Sequence, residues 1–319
     1  MKRSAIFAVL IGLVLAATLI ATNDLSAILG AIGKAGWGIA FVVLLHVPQT
    51  VASAIGWGVL LKRREAFGWL YALRWMRESV NALLPVAQLG GDVVRARLLA
   101  QRGPTLADAM AATMVDLSVE GATQAVFTIL CVALLVAGPH GGAELPLAAG
   151  VTAITVLLAV ALVAAQRFGL FALIERLVTR WTRGRDLVGL NVAVLALYRQ
   201  PRRLAAAGFW HLASWLLGGI ETYAALHVLG VNASLREAMI VEGLGQAVRS
   251  VGFLVPGALG VQEGGYLVIC GMFGIPPQRA LALSLIRRIR ELALGLPGLA
   301  LWHRLEARHD AAVIEGTAS

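Results

Sequence analysis

The sequence predicts an all-α polytopic membrane protein, with about six transmembrane helices and two re-entrant helical hairpins related by an inverted internal repeat. Three observations carry this. Of 319 residues, 59% are hydrophobic and 14% charged, with a mean hydropathy of +0.79, whereas a soluble chain carries about 25% charge. Several uncharged runs reach the roughly 20 residues that cross a hydrocarbon core. Two further apolar stretches are interrupted by Gly and Pro. The same composition excludes a disordered chain, a disulfide scaffold and a nucleic-acid binder.

The elements follow in order. Met1-Lys2-Arg3 precedes an apolar run over 4–23 that is long for a signal peptide and lacks a convincing cleavage site, so it reads as an uncleaved first span. Uncharged spans follow at 35–61, 121–143 and 145–166; 204–228 carries only Glu221, and a last span from Pro277 to His303 carries four charges in 287–291 besides Arg279 near its start. The stretches 74–102 and 236–274 are too broken to cross as simple helices and read as hairpins. In the first, arms at 74–81 and 92–101 would each reach about 12–15 Å, half a bilayer. Pro85, Gly90 and Gly91 supply its apex, and Pro256, Gly257 and Gly260 that of the second. Unwound backbone at that depth is tolerated where it is buried in protein or lines a watery cavity, so both apices are candidate sites.

Residues 1–310 read as one integral membrane domain, with repeat one at about 35–137, repeat two at about 204–303, and a disordered tail at 311–319. Between the repeats, 167–203 places Leu170, Phe171, Leu173, Ile174, Leu177, Val178 and Trp181 at helical spacing beside Arg176, Arg180, Arg183 and Arg185. This predicts an amphipathic interfacial helix, either snorkelling or recruiting anionic headgroups.

The net charge of +9 is first a statement about orientation. With both termini cytoplasmic, 20 of the 27 Lys and Arg fall on the inner side, five of them in 74–102, and the outer loops hold Lys34, Arg236 and Arg279. Arg249, Arg287, Arg288 and Arg290 remain at membrane depth.

The hairpins align without a gap at an offset of 171. Pro85 falls on Pro256, Asp92 on Glu263, Gly103 on Gly274 and Glu120 on Glu291, with ten identities across 79–122 against 250–293. Three spans between the hairpins make the repeats inverted, a pattern of transporters with the substrate site at the repeat interface.

Charges inside the membrane must be paired, hydrated or used. Arg287, Arg290 and Glu291 share a helix face, as do Asp116 and Glu120, and pseudo-symmetry suggests an Asp116–Arg287 pair. Counted against Asp116, Glu120 and Glu291, the four arginines leave a positive surplus suited to a lipid phosphate. Arg249, Arg287, Arg288 and Arg290 are therefore candidate headgroup ligands, with Asp116, Glu120 and Glu291 as charge balance or gate. Asp92 and Glu263, at the starts of the returning arms, read first as helix caps and second as proton carriers.

Enzyme signals are poor. Gly257, Gly260, Gly264 and Gly265 fit neither a dinucleotide turn nor a P-loop. The six histidines show no zinc-ligand spacing, and Cys131 and Cys270 lie in apolar runs. No catalytic residue, metal or cofactor is expected.

Arg77-Glu-Ser-Val-Asn81-Ala-Leu-Leu-Pro85, then Gly90-Gly91-Asp92-Val-Val-Arg95, and later Pro256-Gly257-Ala-Leu-Gly260-Val-Gln-Glu263 resemble the membrane region of lysylphosphatidylglycerol synthases and their flippase-like relatives. Within that superfamily the chain is most similar to the hopanoid-biosynthesis-associated HpnL-type proteins. The resemblance implies a lipid-translocating module with Arg77, Asn81, Asp92, Arg95, Pro256 and Glu263 at motif positions, Arg77 and Asn81 joining the candidate substrate ligands. With 16 residues after His303, aminoacyl transfer is not expected of this chain. The resulting expectation is a flippase of the bacterial inner membrane moving a hopanoid, phospholipid or polyprenyl-phosphate. Alternatives are a scaffold of hopanoid or cell-envelope lipid biosynthesis and an intramembrane lipid-modifying transferase. Expected partners are a membrane lipid, a second copy of the chain and lipid-biosynthesis enzymes, with no nucleic acid.

Overall fold

Every regular element of the computed structural model, which describes residues 24–84, 89–138, 188–251 and 258–317 together with position 18 and scattered positions between 146 and 164, is an α-helix. Among the described residues these are α1 (Leu25–Ala35), α2 (Gly38–Leu60), α3 (Phe67–Leu83), α4 (Gly90–Ala100), α5 (Leu106–Val136), α6 (Leu190–Tyr198), α7 (Pro201–Val228), α8 (Leu235–Val251), α9 (Val261–Gly271) and α10 (Pro277–Thr317). Their starts are encoded locally. Asp24 and Thr105 accept from the Ala27 and Asp108 amides, each at 3.1 Å, and Ser234 and Glu237 form a reciprocal capping box. Pro201 and Pro277 open α7 and α10, where the missing N–H costs nothing.

Close backbone approach sets the packing. α2 and α7 run antiparallel: Gly38 lies against Val228 at one end, and Gly56 against the Ala207 carbonyl and His211 at the other, small residues allowing the contact. α3 folds back onto α4, and α8 onto α9. Across the molecule α3 packs on α10, with Gly298 against Ser79 and Trp75, and α8 packs on α5, with Gly243 against Cys131 and Phe127. Both folded-back pairs have 17 residues followed by 11. Gly103 and Gly274, in the loops that lead on to α5 and α10, both have positive φ, 130° and 66°, which glycine adopts at little cost.

The core is layered along the helices. One apolar cluster gathers Val42, Phe127, Leu135, Leu226 and Ile286, the other Trp57, Leu73, Leu99, Val115 and Ala207. Between them α2, α5 and α7 carry a polar belt, including His46, Thr50 and Ser53; Asp116 and Glu120; and His211, Ser214 and Glu221. The outer faces are apolar: Val126, Ile129, Leu130 and Leu134 on α5 are exposed while its Thr113, Asp116, Ser118 and Thr128 are buried. This reverses the soluble amphipathic pattern and suits a lipid surrounding. α2 and α5 are long and apolar enough to cross a membrane.

Several expectations change. α3 begins at Phe67 and its 17 residues reach about 25 Å, twice the predicted arm, because 67–73 continue the helix without a break. The segment that carries Lys34, assigned to an outer loop, is largely helix α1: Asp24 caps it, and Ile28 and Ala31 face the core beside α10. The part of 167–203 described as α6 buries Leu190, Val194 and Leu197 against α5, and the residues on which the amphipathic helix rests, 170–185, lie outside the described residues. The 311–319 tail, read as disordered, is helical through Thr317, since Ala311, Ala312 and Glu315 favour continuation and Gly316 comes only at its end. The first span, most of 145–166, the four arginines from 176 to 185, and Pro85, Pro256 and Gly257 lie outside the described residues.

At Gly91 an added Cβ would fall on the backbone carbonyl of Arg77, whereas at Gly121 it would meet open space. Gly91→Ala should therefore destabilise the protein by about 1–3 kcal/mol. Gly121→Ala should be neutral or stabilising by up to about 1 kcal/mol. Thermal unfolding of both variants in detergent measures the difference.

Candidate functional site

The belt holds an ion-pair network built from helix-spaced side chains. On α3, Arg74, Arg77, Glu78 and Asn81 fall at i, i+3, i+4 and i+7 and present one face to α2, α4 and α5. Arg74 binds Glu78 (2.8 Å) and Glu120 (2.7 Å), and Arg77 binds Glu120 (3.0 Å) and Asp92 (2.8 Å). Arg95, fully buried, lies between Asp92 (2.9 Å) and Asp116 (2.8 Å) with its guanidinium 4.6 Å from the Trp57 ring centroid. His211 of α7 reaches the other Asp116 oxygen at 2.7 Å.

The second half repeats the theme with other partners. Arg249 donates to Glu291 (2.6 Å) and Gln262 (3.2 Å), and Arg288 spans Glu291 (3.1 Å) and Glu263 (3.2 Å). Arg287 pairs with Glu242, donates to Thr222 (2.6 Å) and lies 5.3 Å from the Tyr266 ring centroid. Arg290 pairs with Glu221. His46 of α2 joins the two systems, with Nδ1 2.9 Å from Glu221 and Nε2 3.6 Å from Glu78.

The two hairpin starts are held differently. Asn81 accepts from the Gly91 amide at 2.8 Å and donates to Asp92 at 3.2 Å, so Asn81 caps α4 and Asp92 is left to gather arginines. In α9 the Glu263 carboxylate itself caps, accepting from the Gly260 amide at 2.7 Å and from Ser284 at 3.0 Å.

A cavity of about 430 Å³ opens where the halves meet. Of the residues singled out from sequence, Arg77, Asn81, Glu120, Arg249, Arg290 and Glu291 line it, together with His46, Arg74 and Glu78. Arg95, Asp116, Asp92, Glu263, Arg287 and Arg288 do not. They stand behind the walls and fix the helices that form them.

Two sequence expectations fail here. Asp116 does not pair with Arg287: it forms ion pairs with Arg95 and His211, and Glu242 takes the arginine. Nor do Arg249, Arg287, Arg288 and Arg290 form a positive surplus. Among the described residues seven belt arginines (Arg74, Arg77, Arg95, Arg249, Arg287, Arg288, Arg290) pair with eight carboxylates (Glu78, Asp92, Asp116, Glu120, Glu221, Glu242, Glu263, Glu291). Three arginines placed in the cytoplasmic count, Arg74, Arg77 and Arg95, are buried members of this belt. The residues missed are His46, Arg74, Glu78, His211, Glu221 and Glu242. The available signal was a lone His or Glu inside an otherwise apolar span, which at membrane depth is a functional candidate by default.

Removing one partner of a buried pair strands the other. Glu242→Gln leaves Arg287 without its countercharge and should cost about 3–5 kcal/mol. Lys62→Ala, at the exposed Lys62–Asp108 pair, should cost less than about 1 kcal/mol. Unfolding in detergent reads both.

Neither a curated protein nor a solved structure matches the chain. Residues 5–298 match the model of the family described as the lysylphosphatidylglycerol synthase TM region. A membrane region matched over nearly the whole chain, together with apolar outer faces around a charged belt, makes this a membrane protein with a lipid-related role, and it belongs to the lysylphosphatidylglycerol synthase TM-region family.

Proposed function

We propose that the protein is a flippase that moves an anionic or isoprenoid-type lipid between the leaflets of the bacterial inner membrane, with both termini cytoplasmic. One observation carries the reading: a cavity of about 430 Å³, lined from both halves of the chain by arginines and carboxylates, sits in the polar belt of a protein whose outer faces are apolar. That volume lies in the range of small-ligand sites. It suits a polar headgroup, while acyl or isoprenoid chains stay against the outer helix faces.

The packing supports two inverted repeats. α2, α3, α4 and α5 occupy places matching α7, α8, α9 and α10, and the matching helices α2 and α7 lie antiparallel, as a two-fold axis across the helices requires. The offset of 171 also equates Arg95·Asp116 with Tyr266·Arg287, and both pairs are in contact. A repeat interface of this kind is where transporters bind substrate, and α3/α4 and α8/α9 would be the opposed hairpins.

Arg249 and Arg290 each hold a carboxylate through Nη1 at the cavity wall. We assign them the phosphate, with Arg77 and Asn81 at the opposite wall. Phosphatidylglycerol and polyprenyl phosphate are the candidate cargoes that bring a phosphate, and a hopanoid is the candidate that would use the polar belt without one. The complete pairing of the belt arginines favours a second reading, a non-transporting scaffold of lipid-biosynthesis enzymes. Mass spectrometry of the extracted protein separates the two: a stoichiometric lipid is expected for the transporter and bulk lipid for the scaffold.

In proteoliposomes, Arg249→Ala should slow translocation by about tenfold or more, the equivalent of one charge-assisted hydrogen bond. Arg290→Lys, which keeps the charge that holds Glu221 but loses the fork, should do the same. A wild-type rate equal to that of empty vesicles for all three lipid classes would sink the proposal.

A further inference from the structure

The belt charges divide unevenly between the halves. In the first, Arg74, Arg77 and Arg95 face Glu78, Asp92, Asp116 and Glu120, one carboxylate in excess; in the second, four arginines face Glu221, Glu242, Glu263 and Glu291. Each of these arginines pairs within its own half. The histidines reach across: His46 of α2 to Glu221 of α7, and His211 of α7 to Asp116 of α5.

His46 lines the cavity and lies between carboxylates of both halves. Its Nδ1 is at hydrogen-bond distance from Glu221, 2.9 Å, while Nε2 stands 3.6 Å from Glu78, beyond a hydrogen bond. A neutral imidazole that donates through Nδ1 turns the Nε2 lone pair toward that carboxylate, a repulsive arrangement. An imidazolium would attract both. The charged groups around it are Glu78 and Arg74 from α3, Glu221 from α7, Arg290 from α10 and, farther along the cavity wall, Glu120 from α5. His211 has no such place: it is fully buried against Asp116, whose other oxygen takes Arg95.

We propose that His46 is a proton site filled together with the headgroup, so that one anionic phosphodiester enters the cavity with one proton and translocation of anionic lipid is proton-coupled. This rests on the lipid reading above. With both histidines neutral the belt carries one net negative charge, and a phosphodiester adds a second where water cannot screen it. A proton from the aqueous phase, taken up on the Nε2 lone pair while the Nδ1–H stays on Glu221, restores the original balance without breaking a bond. It leaves again when the headgroup leaves. The imidazolium also draws Glu78 toward Glu221, tying α3 to α7 only while the cavity is loaded.

The test is proton uptake on binding of dihexanoyl phosphatidylglycerol to the purified full-length protein at mildly alkaline pH, by calorimetry in two buffers of different ionisation heat. About one proton per bound lipid is expected, falling toward none in His46→Gln; unchanged uptake in that variant would place the proton elsewhere and overturn the assignment. Binding without uptake would overturn the coupling and leave the lipid reading standing, whereas no binding would overturn both. Wild-type proteoliposomes give an answer that needs no variant: an imposed pH gradient should enrich labelled phosphatidylglycerol in one leaflet, and an even distribution would overturn the coupling.

Discussion

Among the described residues, seven guanidinium groups and eight carboxylates share a belt between two apolar clusters, and the helices are arranged so that each of them has an ion-pair partner. A single uncompensated charge at this depth costs about 3–5 kcal/mol, a large part of the 5–15 kcal/mol that typically holds a native state together. The consequences are visible in the helices. α3 spends four positions of one face on the network, α4 starts where Asn81 can cap it so that Asp92 is free for Arg77 and Arg95, and α9 starts where Glu263 can cap and bind Arg288 at once. Glycines at 91 and 298 then let the backbones approach closely enough for these contacts to form.

Strong pairs and adjustable pairs are divided between different places. Arginine stays charged in any protein, and the belt arginines pair inside each half, where they stiffen it. Histidine changes charge within the physiological range, and the two belt histidines lie between the halves. A relative movement of the halves therefore disturbs the histidine contacts and spares the arginine–carboxylate pairs of the belt. The starts of α4 and α9 differ as well: the first is clamped by two arginines, Arg77 and Arg95, on Asp92, the second by a capping carboxylate and a cation–aromatic contact at Tyr266.

Much of this was legible in the chain, for physical reasons that also explain the gaps. The long helices α2 and α7 follow from uncharged or nearly uncharged runs of membrane length, whereas α5 begins at Leu106, ahead of the uncharged run at 121–143, and carries Asp108, Asp116 and Glu120. Spacing of i+3 and i+4 exposes same-helix partners such as Arg288 and Glu291. It is silent about Glu242 and Glu221, which reach Arg287 and Arg290 from 45 and 69 residues away, and so the arginines looked like a surplus. Counting charges by loop failed at Arg74, Arg77 and Arg95 because a charge next to a cytoplasmic segment and a charge folded under it read alike. His46 and His211 carried too little pattern to be noticed until their carboxylates were in place.

The confinement of the belt's arginine pairs to their own half has a consequence for how the protein is made. A membrane protein is synthesised from its N-terminus, and the first half reaches the bilayer before α7 to α10 exist. Arg74, Arg77 and Arg95 find Glu78, Asp92, Asp116 and Glu120 on segments already inserted, so the early intermediate need not hold bare guanidinium groups in lipid while it waits. The second half brings its own countercharges, and what remains for the final assembly step is the packing of α2 on α7, α3 on α10 and α5 on α8, with small residues and two histidines at the seams.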